Sequence, residues 1–245
     1  VIYFVVPEPS SKKSSPRSSA PASLKTVYRD SRFWRLAPLS ATCVGSAWAL
    51  QGLWAAPWLA DVEGLDRPSL ITRLFVMAVA LSFGALLLGT IADQMRRRGV
   101  GLHGLLAAVA ALFIAAQLTL ILQLPLPSYF SWSVVAAVGA GTVISYAIVA
   151  DYFPKELAGR ANAALNVFHL GWAFVFQCST GLILQQWPSQ DNHYPLLAYQ
   201  VAFGLNVALQ IAAFVWLELP RLRALKPAFA SELGGSFFAH RTPLE

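Results

Sequence analysis

Two apolar runs of about twenty residues each flank a short turn that contains three consecutive arginines, Arg96 to Arg98. A run of this length is enough for a helix to cross the hydrocarbon core of a bilayer. Arginine-rich turns between such runs are typical of the cytoplasmic side of a membrane. The pattern therefore predicts a membrane protein in which two spans form a tight hairpin.

Composition supports a membrane protein and argues against several other classes. Hydrophobic residues make up 56% and charged residues only 12% of the chain, whereas soluble proteins have about 25% charged residues. The net charge of +6 lies in loops and tails rather than on one face, so we predict no nucleic-acid partner. Cys43 and Cys178 fall inside apolar runs and are interpreted as packing residues. Without a nucleotide-binding loop, a metal-ligand cluster or a nucleophile–base pair in the sequence, we predict no enzyme, cofactor or metal.

The chain divides by composition into four segments. Residues 1–6 look like the end of a preceding, truncated helix, and residues 7–35 form a polar linker. Residues 36–217 form the transmembrane domain, and residues 218–245 form a polar tail. Apolar residues at helical spacing between positions 24 and 34 indicate either a short basic helix on the membrane surface or the frayed start of the first span.

Six spans are predicted from the apolar runs and the prolines between them. Their approximate bounds are Leu36–Ala60, Leu70–Ile91, Val100–Leu124, Tyr129–Ala150, Ala161–Gln186 and Leu196–Leu217. Sixteen of the 18 lysines and arginines fall on one side, and only Arg67 and Arg73 lie at or near the other. The positive-inside rule then places both termini in the cytoplasm of a multi-pass protein of the plasma (inner) membrane.

The hairpin between the second and third spans reads Gly-Thr-Ile-Ala-Asp-Gln-Met-Arg-Arg-Arg. It resembles the hairpin motif of the major facilitator superfamily, Gly-x-x-x-Asp-Arg/Lys-x-Gly-Arg/Lys-Arg/Lys. The matching residues are Gly89, Asp93, Arg97 and Arg98, whereas Gln94 and Arg96 depart from the motif. We expect Gly89 to permit close helix contact, Asp93 to accept hydrogen bonds at a neighbouring helix N-terminus, and the arginines to anchor at headgroups.

A second loop, residues 151–160, resembles the acidic-aromatic-Pro…Gly-Arg loop found at the equivalent position in many members of this family. Asp151 is expected to pair with Arg160 across the loop, or with a loop of another half of the protein, or to remain unpaired. Together with the hairpin, this loop defines the predicted cytoplasmic gate. Its residues are Gly89, Asp93, Arg96, Arg97, Arg98, Asp151 and Arg160.

The resemblance implies a fold and a function. It implies an all-α membrane protein that forms the C-terminal six-helix half of a transporter, built from two inverted three-helix repeats at about 36–124 and 129–217. Its partner would be a missing N-terminal half. The family's activity would be secondary active or facilitated transport of a small solute by alternating access.

The fifth predicted span carries a stripe of polar residues. Asn162, Asn166, His169, Gln177 and Thr180 recur at helical spacing and lie within about 80° of one another. Polar side chains are costly in lipid, so this face must point towards protein or water. It is either a hydrogen-bonding seam between helices or the wall of a substrate pathway, and His169 is either a packing residue or a substrate contact.

The predicted substrate-pathway residues on this stripe are Asn162, Asn166, His169 and Gln177. The resemblance adds Trp48, Gln51 and Tyr146, because it implies that the first and fourth spans line the pathway. Because neutral groups predominate and no charged residue lies deep in a span, a small polar or amphipathic solute is expected, without an obvious proton-coupling carboxylate. The alternative interpretation is a non-transporting six-span scaffold or a subunit of a larger membrane complex.

Overall fold

The computed structural model describes residues 23–139, 141, 144–189 and 193–238, with side chains as far as Pro220. The predicted helix remnant at residues 1–6 lies outside the described residues. Within them the chain forms nine α-helices and one π-helical segment. The helices are α1 (Leu24–Arg29), α2 (Ser31–Ala49), α3 (Ala55–Glu63), α4 (Arg67–Arg97), α5 (His103–Ile121), α6 (Ser128–Gly139), α7 (Ile144–Tyr152), α8 (Lys155–Leu184) and α9 (Leu196–Phe238).

Five helical stretches are long and apolar enough to cross a membrane. They are Arg67–Arg97, His103–Ile121, Ser128–Tyr152, Lys155–Leu184 and Leu196–Pro220. The predicted first span corresponds to α2 and α3, which the π-helical segment Leu50–Trp54 joins. The described residues thus contain five stretches suited to a span and one interrupted helix at the predicted first span. The last helix continues to Phe238, into the segment expected to be a polar tail.

The segment before the first span contains a helix of its own. In α1, the side chain of Ser23 accepts a hydrogen bond from the backbone N–H of Lys25. Asp30 then ends α1 and caps α2, because its carboxylate accepts from the N–H of Arg32 at 2.8 Å. The short basic helix and the early start of the span are thus both present, and α2 begins at Ser31 rather than at Leu36.

Two prolines shape the first span. Because a proline has no backbone N–H, Pro38 cannot donate the helical hydrogen bond to the carbonyl of Trp34 one turn earlier. The indole of Trp216 on α9 donates to that carbonyl instead, at 3.2 Å. Pro57 follows the π-helical segment, in which the N–H of Ala55 donates to the carbonyl of Leu50. Since a proline ring clashes with the carbonyl four residues earlier, the widened turn accommodates Pro57 without ending the span.

Helices approach most closely at two glycines. A Cβ atom on Gly45 of α2 would lie 2.7 Å from the backbone of His169 and Ala173 on α8, and one on Gly84 of α4 would overlap the backbone of Ala137 on α6. Gly89, the predicted contact glycine, has no atom within 4 Å of such a Cβ. Five residues rotate a helix by about 140° and turn Gly89 away from α6. Its expected role in close helix contact therefore stays a prediction.

The membrane helices differ in how far the rest of the chain covers them. We compare the share of buried residues in the most apolar part of each stretch. This share is 60% in Ser128–Tyr152, 28% in α8 and 11% in α4. Large apolar side chains are exposed along both poorly covered helices, including Phe75 and Phe83 on α4 and Phe174 on α8. These two helices therefore present extended apolar faces to lipid or to further protein.

Candidate functional site

A cluster of polar side chains lies where α2, α7 and α8 meet. His169 on α8 is completely buried. Its Nε2 atom lies 2.7 Å from the hydroxyl of Ser40 on α2, and its Nδ1 atom lies 2.8 Å from the hydroxyl of Tyr146 on α7. Ser40 also contacts the hydroxyl of Ser145 at 2.7 Å. Both ring nitrogens are therefore hydrogen-bonded to side chains of other helices.

The hydrogen bonds of Tyr146 indicate that the Nδ1 atom of His169 carries a proton. The hydroxyl of Tyr146 donates to the amide oxygen of Asn166 at 2.7 Å. Because a phenol has only one proton to donate, the contact between Tyr146 and His169 requires the Nδ1–H of the imidazole to be the donor. The orientation of His169 is thus coupled, through Tyr146, to the amide of Asn166.

One side of the cluster is uncovered. Trp48 packs edge-on against the ring of His169, with centroids 6.0 Å apart, and its side chain is 42% exposed. Tyr146 and Asn166 are half-buried. The cluster therefore has a closed back, formed by Ser40, Ser145 and His169, and an open front at which an indole, a phenol and an amide are reachable. Four of the predicted pathway residues, Trp48, Tyr146, Asn166 and His169, come together here.

The remaining predicted pathway residues lie elsewhere on the same helices. Gln51 is in the π-helical segment, half-buried, with its amide nitrogen against Gly139. Asn162 and Gln177 are half-buried on α8, one turn or more from the cluster on either side. The Oδ1 atom of Asn162 and the Oγ1 atom of Thr180 are buried without a hydrogen-bond partner among the described residues. The α8 stripe is thus only partly a hydrogen-bonding seam.

A second polar cluster was not anticipated from the sequence. Gln117 on α5 donates to Gln210 on α9 at 2.8 Å, and Asn206 donates to Gln117 at 3.2 Å. Ser46 on α2 donates to Asn206 at 2.8 Å, and the indole of Trp172 donates to Ser46 at 3.0 Å. All but the half-buried Trp172 are buried. The available signal was the i, i+4 spacing of Asn206 and Gln210 within an apolar run.

The two predicted gate loops contact each other at one end of the bundle. Arg96 donates to both carboxylate oxygens of Asp151, at 2.8 and 2.6 Å, and to the carbonyl of Ala147 at 3.4 Å. Asp151 does not pair with Arg160, because the long side chain of Arg96 reaches it from the end of α4. None of the expected arrangements of Asp151 included this pair. Both side chains are substantially exposed, so the pair contributes at most about 1 kcal/mol.

The other gate residues lie at the surface of the same end. Asp93 pairs with Arg97 one turn later on α4 at 2.9 Å, and both side chains are exposed. Arg98 ends α4 and is followed by Gly99 with a φ of 71°. Arg160, on the first turns of α8, is exposed. These groups are accessible to a partner that approaches α4 or α8.

At the opposite end a nearly buried carboxylate holds the connection between α8 and α9. Asp61 at the end of α3 accepts from the hydroxyl of Tyr199 at 2.7 Å and from the backbone N–H of Tyr194 at 3.1 Å. The Nδ1 atom of His193 lies 2.9 Å from the same carboxylate, whose side chain is 8% exposed. Asp61 directly follows the predicted first span, and nothing in the sequence indicates its partners.

Comparison with known proteins identifies the family. A family model described as the Major Facilitator Superfamily matches residues 1–177. This chain belongs to the major facilitator superfamily. No curated protein matches it in a sequence search. The match takes in both loop motifs, the open polar cluster and α8 as far as Gln177, and it confirms the predicted resemblance and the all-α membrane fold of the superfamily.

Membership of the superfamily implies transport of a solute across a membrane. The chain is accordingly a multi-pass membrane protein of a transporter family rather than of an enzyme family. Small-molecule solutes and the lipid bilayer are the partners that follow from membership. The helices α2, α7 and α8, which build the open cluster, all lie wholly or mainly within the matched range.

Proposed function

We propose that this chain is the C-terminal six-helix half of a secondary active or facilitated transporter, which moves a small polar or amphipathic solute across the plasma (inner) membrane by alternating access. Both termini lie in the cytoplasm. An N-terminal six-helix half completes the transporter, and the solute binds between the two halves. The orientation is supported by the distribution of lysines and arginines, sixteen of which fall on one side.

The observation that carries the proposal is the open cluster of Trp48, Tyr146, Asn166 and His169 in a protein of this superfamily. A hydrogen-bonding seam needs no accessible front, whereas a substrate site needs one. Asn166 and Tyr146 offer an amide and a hydroxyl at that front, and Trp48 offers an aromatic surface. A ligand that bonds to Asn166 would alter the bond from Tyr146 and thereby the orientation of His169.

A second observation that supports the proposal is that the rest of the described chain covers α4 and α8 poorly. A transporter half rocks against its partner, so the helices at the contact are those that its own half covers least. The exposed faces of α4 and α8 meet this description. The remaining described spans have a larger buried share.

In this mechanism the loops at the arginine-rich end act as a gate. The Arg96–Asp151 pair links the ends of α4 and α7. Asp93 and Arg97 lie at the surface of α4 and are available to the N-terminal half. Because exposed ion pairs are weak, they adjust the balance between inward-open and outward-open states rather than hold the fold together.

The chemistry of the cluster indicates a solute without net charge at this half of the site. The groups at the open front are neutral donors, acceptors and aromatic rings, and no charged residue lies deep in a predicted span. A charged solute would face no compensating group here. Any coupling carboxylate would therefore belong to the N-terminal half, and without one the protein is a facilitator.

Alternating access can be tested without knowing the solute, by labelling cysteines from each side of the membrane. In the full-length protein with Cys178→Ser, since Cys178 is exposed and Cys43 is buried, Asn166→Cys is treated with a membrane-impermeant maleimide. Intact cells and inside-out vesicles present the two sides. The control is Leu112→Cys, an exposed position midway along α5 and away from the cluster.

We expect Asn166→Cys to be labelled from both sides, because the site opens alternately to each, and Leu112→Cys to be labelled from neither. Labelling of Asn166→Cys from neither side would favour the scaffold interpretation. Labelling from one side only would contradict alternating access at this site. Uptake of a panel of labelled sugars, amino acids and aromatic amines by the same cells would then identify the solute class.

A further inference from the structure

A cavity lies at the arginine-rich end of the bundle, among the ends of α2, α5 and α7 and the middle of α9. Its volume is about 200 Å³. It is lined by Arg32, Arg35, His103, Tyr152, Leu217, Glu218 and Pro220. None of these residues belongs to the open cluster, and one of them, Tyr152, lies in the gate loop at residues 151–160. The cavity is therefore separate from the open cluster and adjoins the gate.

Tyr152 holds two basic side chains in place in this cavity. The Nη2 atom of Arg32 donates to the carbonyl of Tyr152 at 2.9 Å, and the guanidinium carbon lies 5.0 Å from the centre of the ring. The Nε2 atom of His103 lies 2.7 Å from the hydroxyl of Tyr152, and the two rings stack with centroids 5.9 Å apart. These contacts orient Arg32 and His103 before any ligand arrives, which lowers the cost of binding.

The formal charges around the cavity balance in number, with Arg32 and Arg35 against Asp30 and Glu218. Asp30 binds Arg32 through its Nε and Nη2 atoms, and this hydrogen bonding lowers the pKa of the Asp30 carboxyl, so the pair stays ionised at neutral pH. Arg35 has no ion pair with the residues whose side chains the structure describes. Glu218 contributes a carboxylate to the wall. Because the cavity has no net positive charge, it suits a ligand with one negative charge better than one with two or more, and Arg35 is the group left to meet that charge.

A phosphodiester is such a ligand, and guanidinium groups bind phosphate oxygens through well-directed hydrogen bonds. Basic pockets between membrane helices on the cytoplasmic side are places where lipid headgroups bind. We propose that this cavity binds the phosphodiester of a phospholipid headgroup from the cytoplasmic leaflet, with Arg35 as its main contact and Arg32 beside it. Leu217 and Pro220 face the apolar part of the lipid. The proposal rests on the proposed orientation of the chain.

The test measures lipid retained by the full-length protein. Purified protein is titrated with dioleoyl phosphatidylglycerol in detergent, and bound lipid is counted by native mass spectrometry. The variants are Arg35→Gln and its matched control Arg29→Gln, which removes the same charge from an exposed arginine at the same end of the bundle but outside the cavity. Inorganic phosphate is added as a competitor, to separate a lipid ligand from a free phosphate ligand.

We expect Arg35→Gln to weaken retention of the lipid about tenfold, since a charged hydrogen bond is lost, and Arg29→Gln to leave it unchanged. Equal affinity in the two variants would overturn the proposal, as would displacement of the lipid by millimolar phosphate. Glu218→Gln should tighten binding of the anionic lipid, because it removes a carboxylate from the cavity wall. A misfolded variant would lose binding, so this result cannot arise from misfolding. Retention is measured without transport, so a negative result here leaves the proposed function standing.

Discussion

Two clusters of neutral polar side chains lie in the same bundle, and their surroundings differ. The open cluster has reachable groups on one side. It consists of Ser40, Trp48, Ser145, Tyr146, Asn166 and His169. The closed cluster is buried except for part of Trp172. It consists of Ser46, Gln117, Trp172, Asn206 and Gln210. Similar chemistry therefore has two different surroundings: in the proposed function the open cluster offers hydrogen bonds to a solute, whereas the closed cluster joins α2, α5, α8 and α9.

Both clusters depend on the close contact between α2 and α8, and breaking that contact gives the largest expected effect. Gly45→Val would place a side chain against the backbone of His169 and Ala173. We expect the free energy of unfolding to fall by about 3 kcal/mol or more. Gly171→Val on α8, where an added Cβ meets nothing within 4 Å, is the control. Thermal unfolding in detergent of the two variants measures the difference, and equal melting temperatures would contradict the contact.

The open cluster should respond in transport rather than in stability. Asn166→Ala removes the amide at the accessible front, and we expect the apparent KM to rise about tenfold, which corresponds to about 1.4 kcal/mol. His169→Ala should raise it as well, because Tyr146 loses a partner. Gln177→Ala, on the same stripe but outside the cluster, measures how far the pathway extends. A normal KM in all three variants would show that the polar stripe serves only in helix packing.

The closed cluster should respond in the opposite way. Asn206→Leu removes the bonds to Ser46, Trp172 and Gln117. Since such bonds in membranes are worth about 1 kcal/mol, we expect a fall of that size in the free energy of unfolding, with an unchanged KM. The double variant of Gln117→Leu with Gln210→Leu should cost less than the sum of the single variants, because the two amides are partners. A change in KM without a change in stability would show that this cluster also belongs to the pathway.

The gate loops lie outside both clusters and should give the smallest effect. Asp151→Asn weakens the exposed pair with Arg96, and we expect transport to slow by no more than about fivefold, in line with the small worth of such pairs. Asp93→Asn should also slow transport without a loss of expression. Initial uptake rates at low and high salt test both variants. Rates equal to those of the unmodified protein would contradict the assignment of Asp93 and Asp151 to a gate.

Much of the fold was predictable from the sequence. The apolar runs and prolines indicated six passes, and the loop motifs indicated the superfamily, because span length and loop chemistry are local properties. Helix ends were less predictable: α2 begins at Ser31 because Asp30 caps it, and α4 continues to Arg97 beyond its apolar run. The π-helical segment before Pro57 was also not predicted, since a proline near the end of a span does not by itself show how the backbone adapts.

The candidate site was predictable only in part. The helical spacing of polar residues on α8 placed Asn166 and His169 on one face, and Trp48 and Tyr146 were chosen by resemblance. Ser40 and Ser145, which complete the environment of His169, were not singled out, because a serine in an apolar run gives no strong signal. The closed cluster was missed for a similar reason: Gln117 and Asn206 lie far apart in the sequence, and nothing in either run indicates that they meet.

The sequence by itself determined that this chain is helical, crosses a membrane and belongs to a transporter family. Run length, lysine and arginine placement and the loop motifs contain that information without reference to other helices. Only the tertiary structure decided which polar groups meet, which glycines permit contact and which helices stay uncovered. Those properties depend on how each helix is rotated against its neighbours. The rotation is set by packing at positions such as Gly45 and Gly84, where the absence of a side chain lets two backbones touch.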